Sequence, residues 1–334
     1  MIKKVFLLSC FMAVAMAMPL VGWAQTQPTQ PTNRYAMKMT QNPDGSYSLQ
    51  QQKKYERNHI DLSMPDVLVP YTYTRDKLQT KLYKGVESED IVFKKYKNYE
   101  LKMTVDKAVG AQAPVPFIIY IHGGGWARGN NSSSKTLSQY LAKQSQITGF
   151  RIEYTLAPQS DATVEVSISD VMDALSYIQK HAKELGVDPN RFGFLGTSAS
   201  AHLAAVGAMK SGAKLFVGYS GIYDLEKATI TTCTHDTERK AYFGNLNAGA
   251  LHDASPINMI RKGHVPVSLL VCGTADVTVE CEQSKMMADA LKRKGGQVEL
   301  LVYDHYDHNL SSKTSDKMEE IFFKTVDFVN KYMK

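Results

Sequence analysis

The sequence predicts a protein of the α/β class, with a mostly parallel central sheet flanked by helices. From residue 85 onward, apolar segments of strand length alternate with amphipathic segments of helical length. Residues 117–121 are continuously apolar, as in a strand buried on both faces, and Val171, Leu175 and Ile178 recur at helical spacing. The composition, 43% hydrophobic and 22% charged over 334 residues, is that of a globular protein.

Residues 1–24 have the three-part pattern of a signal peptide. Lys3 and Lys4 precede an apolar run, and small residues follow before Gln25. The run is shorter than the roughly 20 residues that span a bilayer, so no stable membrane insertion is expected. Cleavage after Ala17 and lipidation at Cys10 are alternatives. We therefore expect an exported protein, periplasmic or extracellular.

Residues 25–84 are predicted to be a flexible leader and an N-terminal arm. Residues 25–33 are Gln, Thr and Pro followed by Asn33, a composition that does not bury a core. The arm is polar and irregular, with a turn expected at 42–45, and it could pack on the core or form a partial lid.

The alternation assigns residues 85–334 to a single domain. Two opening strands are followed by strands and helices in turn, with the last helix near the C-terminus. The predicted strands are 91–96, 99–105, 117–121, 150–154, 191–195, 215–219, 265–272 and 298–303. The predicted helices are 164–185, one that includes 203–209, 280–294 and 316–332.

Charge and cysteine content narrow the classes of partner. The net charge of +6 becomes +4 without the signal peptide, and no basic cluster is interleaved with aromatics, so no nucleic-acid partner is expected. Cys233, Cys272 and Cys281 remain after cleavage and allow one bridge. We expect Cys233–Cys281, since Cys272 falls in a buried strand. No cysteine spacing resembles a zinc site.

The segment 196–200, Gly-Thr-Ser-Ala-Ser, follows a predicted strand and precedes a helix. Small residues two before and two after Ser198 let a strained turn raise its hydroxyl for nucleophilic attack. The fifth position is Ser200 where this motif has glycine. Ser198 could instead be only a helix N-cap.

His122-Gly-Gly-Gly-Trp follows the strand that ends at residue 121. Consecutive glycines let a loop turn its amides inward, where they stabilise a negatively charged oxygen. We predict an oxyanion hole from the amides of Gly124, Gly125 and Ala199, with Trp126 contacting substrate and His122 bracing the loop.

These motifs resemble those of α/β-hydrolase esterases, in the hormone-sensitive-lipase-like and feruloyl or acetyl xylan esterase groups. The resemblance covers residues 85–334 and includes segments 153–158, 220–224, 254–256, 273–276 and 303–308. It implies the α/β-hydrolase fold and a catalytic domain over 85–334. It also implies Asp276 as the triad acid, with Asp224 as competitor, and its spacing from Tyr303 selects His308 over His305 as the base.

The predicted function is that of a serine esterase. Its expected substrate is a small-molecule or oligosaccharide ester, in which a short or aromatic acyl group is attached to plant polysaccharide or oligosaccharide. No metal or organic cofactor is expected. The alternatives are an arylformamidase similar to kynurenine formamidase, a serine exopeptidase, and an inactive hydrolase-fold binding protein.

Overall fold

Ten strands form two sheets in the part of the chain that the structure, a computed structural model, describes. The described residues are 38–41, 47–50, 85–159, 161–228, 237–310 and 318–334. The strands are β1 Lys38–Gln41, β2 Tyr47–Gln50, β3 Val86–Lys95, β4 Glu100–Ala108, β5 Val115–Ile121, β6 Thr148–Ile152, β7 Val187–Thr197, β8 Leu215–Tyr219, β9 Val267–Gly273 and β10 Val298–Tyr303.

Helices follow most of the strands of the larger sheet. Their bounds are α1 Lys135–Ser145, α2 Val164–Lys180, α3 Ala182–Leu185, α4 Ala199–Ser211, α5 Thr237–Tyr242, α6 Ala248–Ala254, α7 Cys281–Arg293 and α8 Met318–Met333. Two 3₁₀ turns, Gly244–Leu246 and Pro256–Met259, flank α6. No helix in these residues is long and apolar enough to cross a membrane.

The larger sheet has eight strands in the order β3-β4-β6-β5-β7-β8-β9-β10. The β3–β4 and β4–β6 pairs are antiparallel, and every later pair is parallel. The predicted mostly parallel sheet flanked by helices is therefore confirmed. In such a sheet the functional loops lie beyond the carboxyl ends of the strands.

Helices cover both faces of the sheet because successive strand side chains point to opposite sides. In the fully buried β5, Phe117, Ile119 and Ile121 belong to one apolar cluster, and Ile118 and Tyr120 belong to the other. The first cluster packs against α2, α4 and α7, and the second packs against α1 and α8. This double coverage explains why β5 is a continuous apolar run.

The N-terminal predictions meet the structure at only one point. β1 and β2 pair antiparallel, with Gln41 opposite Tyr47, on either side of the predicted turn at 42–45. The sequence predicts an irregular arm, but this pair of strands shows that part of it is regular. The turn itself and the predicted signal peptide and leader lie outside the described residues, so those predictions stand untested.

Candidate active site

The segment 196–200, here called the nucleophile turn, joins the end of β7 to α4. Ser198 has φ 60° and ψ −129°, a backbone conformation that is uncommon and strained for a residue with a side chain. Its N–H donates to the carbonyl of Tyr219 at 2.8 Å, which ties the turn to the end of β8. A Cβ on Gly196 would collide with the backbone carbonyl of Ser200, so only glycine fits there. The turn thus has the strand-to-helix geometry predicted from sequence.

Ser200 accounts for the departure from glycine at the fifth position of the motif. Its side chain is fully buried, and its hydroxyl accepts from the N–H of Thr197 at 2.9 Å. The same hydroxyl lies 2.8 Å from the carbonyl of Ile121, to which it donates. Serine therefore closes the nucleophile turn and joins it to the carboxyl end of β5.

Three predicted side chains form one hydrogen-bonded chain. Nε2 of His308 lies 2.8 Å from Oγ of Ser198, and its Nδ1 lies 2.7 Å from Oδ2 of Asp276. Because an ionised carboxylate only accepts hydrogen bonds, Nδ1 carries the proton and Nε2 accepts from the serine hydroxyl. The three residues follow β7, β9 and β10, whose carboxyl ends share one edge of the sheet. This is the arrangement of a serine, a base and an orienting acid.

Asp276 is held by backbone amides as well as by His308. Its carboxylate is fully buried, and Oδ1 accepts from the N–H of Thr278 at 2.9 Å and of Val279 at 2.8 Å. These bonds fix the plane of the carboxylate and aim Oδ2 at the imidazole.

A disulfide closes the acid loop, residues 273–280, that carries this carboxylate. It joins Cys272, at the end of β9, to Cys281, the first residue of α7, with Cα atoms 5.2 Å apart. The expected Cys233–Cys281 bridge is therefore wrong. Burial of Cys272 did not prevent pairing, since Cys281 is buried beside it. Cys233 lies outside the described residues.

The competing acid and base have other partners. Asp224 forms an ion pair with Lys227 at 2.8 Å and accepts from the N–H of the same residue. The imidazole of His305 is 87% exposed and lies 3.1 Å from Asp304. The structure brings neither into the chain formed by Ser198, His308 and Asp276.

The segment 122–126, here called the glycine loop, packs directly against the nucleophile turn. A Cβ on Gly123 would lie 2.8 Å from the carbonyl of Thr197. Gly124 and Gly125 have φ values of 123° and 62°, in the left-handed region that glycine tolerates. Ala199 is the first residue of α4, where backbone N–H groups have no partner within the helix. The loop thus lies against the turn through Gly123, and the oxyanion hole from the amides of Gly124, Gly125 and Ala199 stays a prediction.

His122 braces the glycine loop, as predicted. Its ring stacks on Tyr154 with centroids 4.6 Å apart, and its Nδ1 lies 3.0 Å from the carbonyl of Gly123. The hydroxyl of Tyr154 donates to the carbonyl of His122 at 3.2 Å. Burial lowers the pKa of His122, which favours the neutral ring.

Trp126 corrects a prediction, because its side chain is 0% exposed and offers a substrate no surface. The ring packs edge-on against Phe243, with centroids 4.9 Å apart. Its indole N–H donates to Nδ1 of His202, in α4, at 3.4 Å. His202 was not recognised in the sequence; its position four residues after Ser198 was the available signal.

Comparison with known proteins places the chain in a family. The BD-FAE family model matches residues 103–291, more than half of the sequence. The chain belongs to the BD-FAE family. The matched segment includes Ser198, Asp276 and the glycine loop, and it ends before His308.

Curated relatives of this BD-FAE chain are named as esterases. The isoprenylcysteine alpha-carbonyl methylesterase of Arabidopsis thaliana is 24% identical over 64% of this chain and 56% of its own length. A probable enzyme of the same name from Oryza sativa subsp. japonica is 28% identical over 58% of this chain and 52% of its own length. The chain thus spans about half the length of these relatives.

Solved structures share the fold of this family member. Native esterase 2 of Thermogutta terrifontis aligns with a TM-score of 0.61 at 24% identity, covering 75% of this chain and 93% of the esterase. The propionate-bound form of the same esterase aligns with a TM-score of 0.62 at 23% identity, over 75% and 95%. This likeness confirms the predicted α/β-hydrolase fold.

Proposed function

We propose that this chain hydrolyses carboxylic esters by a two-step acyl transfer at Ser198. The observation that carries the proposal is the continuous hydrogen-bonded chain from Ser198 through His308 to Asp276. A serine hydroxyl is a weak nucleophile at neutral pH, and an imidazole oriented by a buried carboxylate is the group that activates it.

In the first step, Oγ of Ser198 attacks the ester carbonyl while Nε2 of His308 takes the hydroxyl proton. The carbonyl oxygen becomes an oxyanion, and we assign its stabilisation to the amides of Gly124, Gly125 and Ala199. His308 then protonates the leaving alcohol, and an acyl-serine remains.

In the second step, His308 takes a proton from water, which attacks the acyl-serine. The second oxyanion collapses, the acid leaves, and the proton returns to Ser198. Asp276 stays ionised throughout and stabilises the imidazolium. Its buried position and its two backbone N–H donors suit that role.

For the substrate we propose a short or aromatic acyl ester on a plant polysaccharide or oligosaccharide, cleaved outside the cytoplasm in the periplasm or medium. Membership of the BD-FAE family and the signal-peptide pattern of residues 1–24 support this proposal. A methyl ester is the second candidate, since relatives are named methylesterases. The two candidates differ in the alcohol that is released, which is a sugar in the first and methanol in the second.

Replacement of Ser198 by alanine tests the activity. We expect turnover of p-nitrophenyl acetate to fall by about 10⁴-fold or more in Ser198→Ala. Ser169→Ala, an exposed hydroxyl on α2, is the matched control and should behave as wild type. Wild-type turnover in Ser198→Ala would contradict the proposal.

A substrate panel then separates the candidates. It contains acetylated and feruloylated oligosaccharides, simple aryl esters, methyl esters of prenylated cysteine, and N-formylkynurenine. We expect the highest kcat/KM on an acylated oligosaccharide. A higher value on the methyl ester would favour the second candidate, and one on N-formylkynurenine would favour an arylformamidase.

A further inference from the structure

His202 is a buried histidine whose two ring nitrogens both have partners. Its side chain is 0% exposed and lies in α4, four residues after Ser198. Nε2 lies 2.9 Å from the carbonyl of Ala254, and Nδ1 lies 3.4 Å from the indole nitrogen of Trp126. Burial lowers the pKa of His202 to about 4, so the ring is neutral at neutral pH.

These partners determine the tautomer of the ring. A carbonyl oxygen only accepts, so Nε2 carries the proton and donates to Ala254. Nδ1 then has a lone pair, and the indole N–H of Trp126, which only donates, can point at it. His202 is therefore joined to Trp126 on one side and to the end of α6 on the other.

Trp126 occupies the last position of the glycine loop. Its φ is 58°, and it directly follows Gly125, so three successive residues of this loop have left-handed backbone conformations. Its carbonyl accepts from the N–H of Ala157 at 2.8 Å, and its buried ring contacts Phe243. Trp126 thus has an uncommon backbone conformation for a residue with a side chain, and its hydrogen bond to Ala157 and its buried ring hold it there.

Hydrogen bonds to an oxyanion require donors about 2.7–3.1 Å from its position, so the glycine loop must keep a fixed place relative to Ser198. The His202–Trp126 hydrogen bond connects these two parts of the site. His202 lies in α4, which begins directly after Ser198, and Trp126 is the last residue of the glycine loop.

We propose that His202 is a positioning residue that holds the glycine loop in register with Ser198 through its hydrogen bond to Trp126. The proposal rests on the esterase activity proposed above. His202 does not touch the reacting atoms; it acts through the backbone of Gly124 and Gly125.

Two substitutions separate the two hydrogen bonds of His202. In His202→Asn, the side-chain oxygen can replace Nδ1 as acceptor for Trp126, but the donor to Ala254 is lost. In His202→Gln, the amide can replace Nε2 as donor to Ala254, but the acceptor for Trp126 is lost. Trp126→Phe removes the indole N–H and keeps an aromatic ring. His252→Gln, an exposed histidine on α6, is the matched control.

We expect kcat for p-nitrophenyl acetate to fall about tenfold in His202→Gln and Trp126→Phe, with KM little changed, as for loss of one buried hydrogen bond. The affinity for a trifluoromethyl ketone, which forms a tetrahedral oxyanion on the serine, should fall by the same factor. His202→Asn should recover most of the loss. The double variant His202→Gln/Trp126→Phe should lose no more than either single variant, because both remove one bond.

A purely structural role predicts different results. It would lower the thermal midpoint in every variant without the matched loss of ketone affinity. Alternatively, the losses of kcat in His202→Gln and Trp126→Phe would add in the double variant. Either result would overturn the proposal. If wild type hydrolyses no ester, the proposed function fails, and the indole ¹H–¹⁵N resonance of Trp126 decides the link instead. That resonance should move in His202→Gln and return towards wild type in His202→Asn; no movement in His202→Gln would overturn the link.

Discussion

Oδ2 of Asp276 lies 2.7 Å from Nδ1 of His308, and the other carboxylate oxygen is held by two backbone amides. The acid is thus aimed at the imidazole by its own loop. In the sequence these residues are 32 positions apart. Because of this short distance, we expect Asp276 and His308 to be the acid and the base that serve Ser198.

Asp276→Asn should lower kcat by about 10⁴-fold, because an amide can donate to Nδ1 and so favours the wrong imidazole tautomer. Asp224→Asn is the control, since that carboxylate pairs with Lys227 instead. Steady-state kinetics with p-nitrophenyl acetate checks both variants. A larger loss in Asp224→Asn would reverse the assignment of the acid.

His308→Asn should abolish turnover to a similar extent, about 10⁴-fold or more, because no base then takes the serine proton. His305→Asn should keep turnover near that of wild type, since its ring is exposed and pairs only with Asp304 among the described contacts. Active-site titration with paraoxon gives a second measurement: Ser198 should react rapidly in His305→Asn and very slowly in His308→Asn. Rapid reaction in His308→Asn would argue against its role as base.

The Cys272–Cys281 bridge should stabilise the fold by constraining the unfolded chain. For a loop of this size, Cys272→Ala/Cys281→Ala should lower the free energy of unfolding by about 2–3 kcal/mol. Urea unfolding of the oxidised wild type and of the double variant measures the difference. Peptide mapping without reduction should yield a linked Cys272–Cys281 peptide; a linked Cys233–Cys281 peptide would contradict the structure.

His202 should make stability depend on pH. Its pKa is about 4 when folded, against an ordinary value of 6.5, so the unfolded chain binds the proton more strongly. The free energy of unfolding is therefore unaffected above pH 6.5 and falls as the pH drops towards 4. By pH 5 the loss from this residue is about 2 kcal/mol.

The comparison for this prediction is His202→Gln, whose side chain does not titrate. Urea unfolding at pH 7 and pH 5 should show a smaller loss of stability in the variant than in wild type. His252→Gln, which removes an exposed histidine, should follow wild type. Equal pH dependence in wild type and His202→Gln would show that His202 is not buried in its neutral form.

Much of the fold could be predicted because its signals are local. The apolar run that became β5, the spacing of Val171, Leu175 and Ile178 in α2, and the small residues around Ser198 each reflect a short segment and its immediate surroundings. Strand boundaries differed by a few residues, as for β9, predicted at 265–272 and observed at Val267–Gly273. The antiparallel β1–β2 pair has no clear signal in the sequence because each strand has only 4 residues.

The roles of single side chains were harder to predict, because they depend on contacts between distant segments. Trp126 ends the glycine loop, a position that predicts a substrate contact, yet its ring contacts His202 of α4 and Phe243 and is buried. Cys272 pairs with Cys281 because the acid loop brings the start of α7 back beside the end of β9. The burial of Cys272 alone does not reveal that the two cysteines are neighbours.

By itself, the sequence determined the α/β class, the nucleophile turn and the glycine loop, because small residues at fixed spacing restrict backbone conformation wherever they occur. The family resemblance selected His308 and Asp276 over His305 and Asp224, but only the tertiary structure showed that the two reach Ser198 through hydrogen bonds. Only the tertiary structure decided that His202 meets Trp126. These contacts form because the carboxyl ends of parallel strands lie at one edge of the sheet, which brings together residues that are far apart in the sequence. The order of residues along the chain does not reveal how close they come in space.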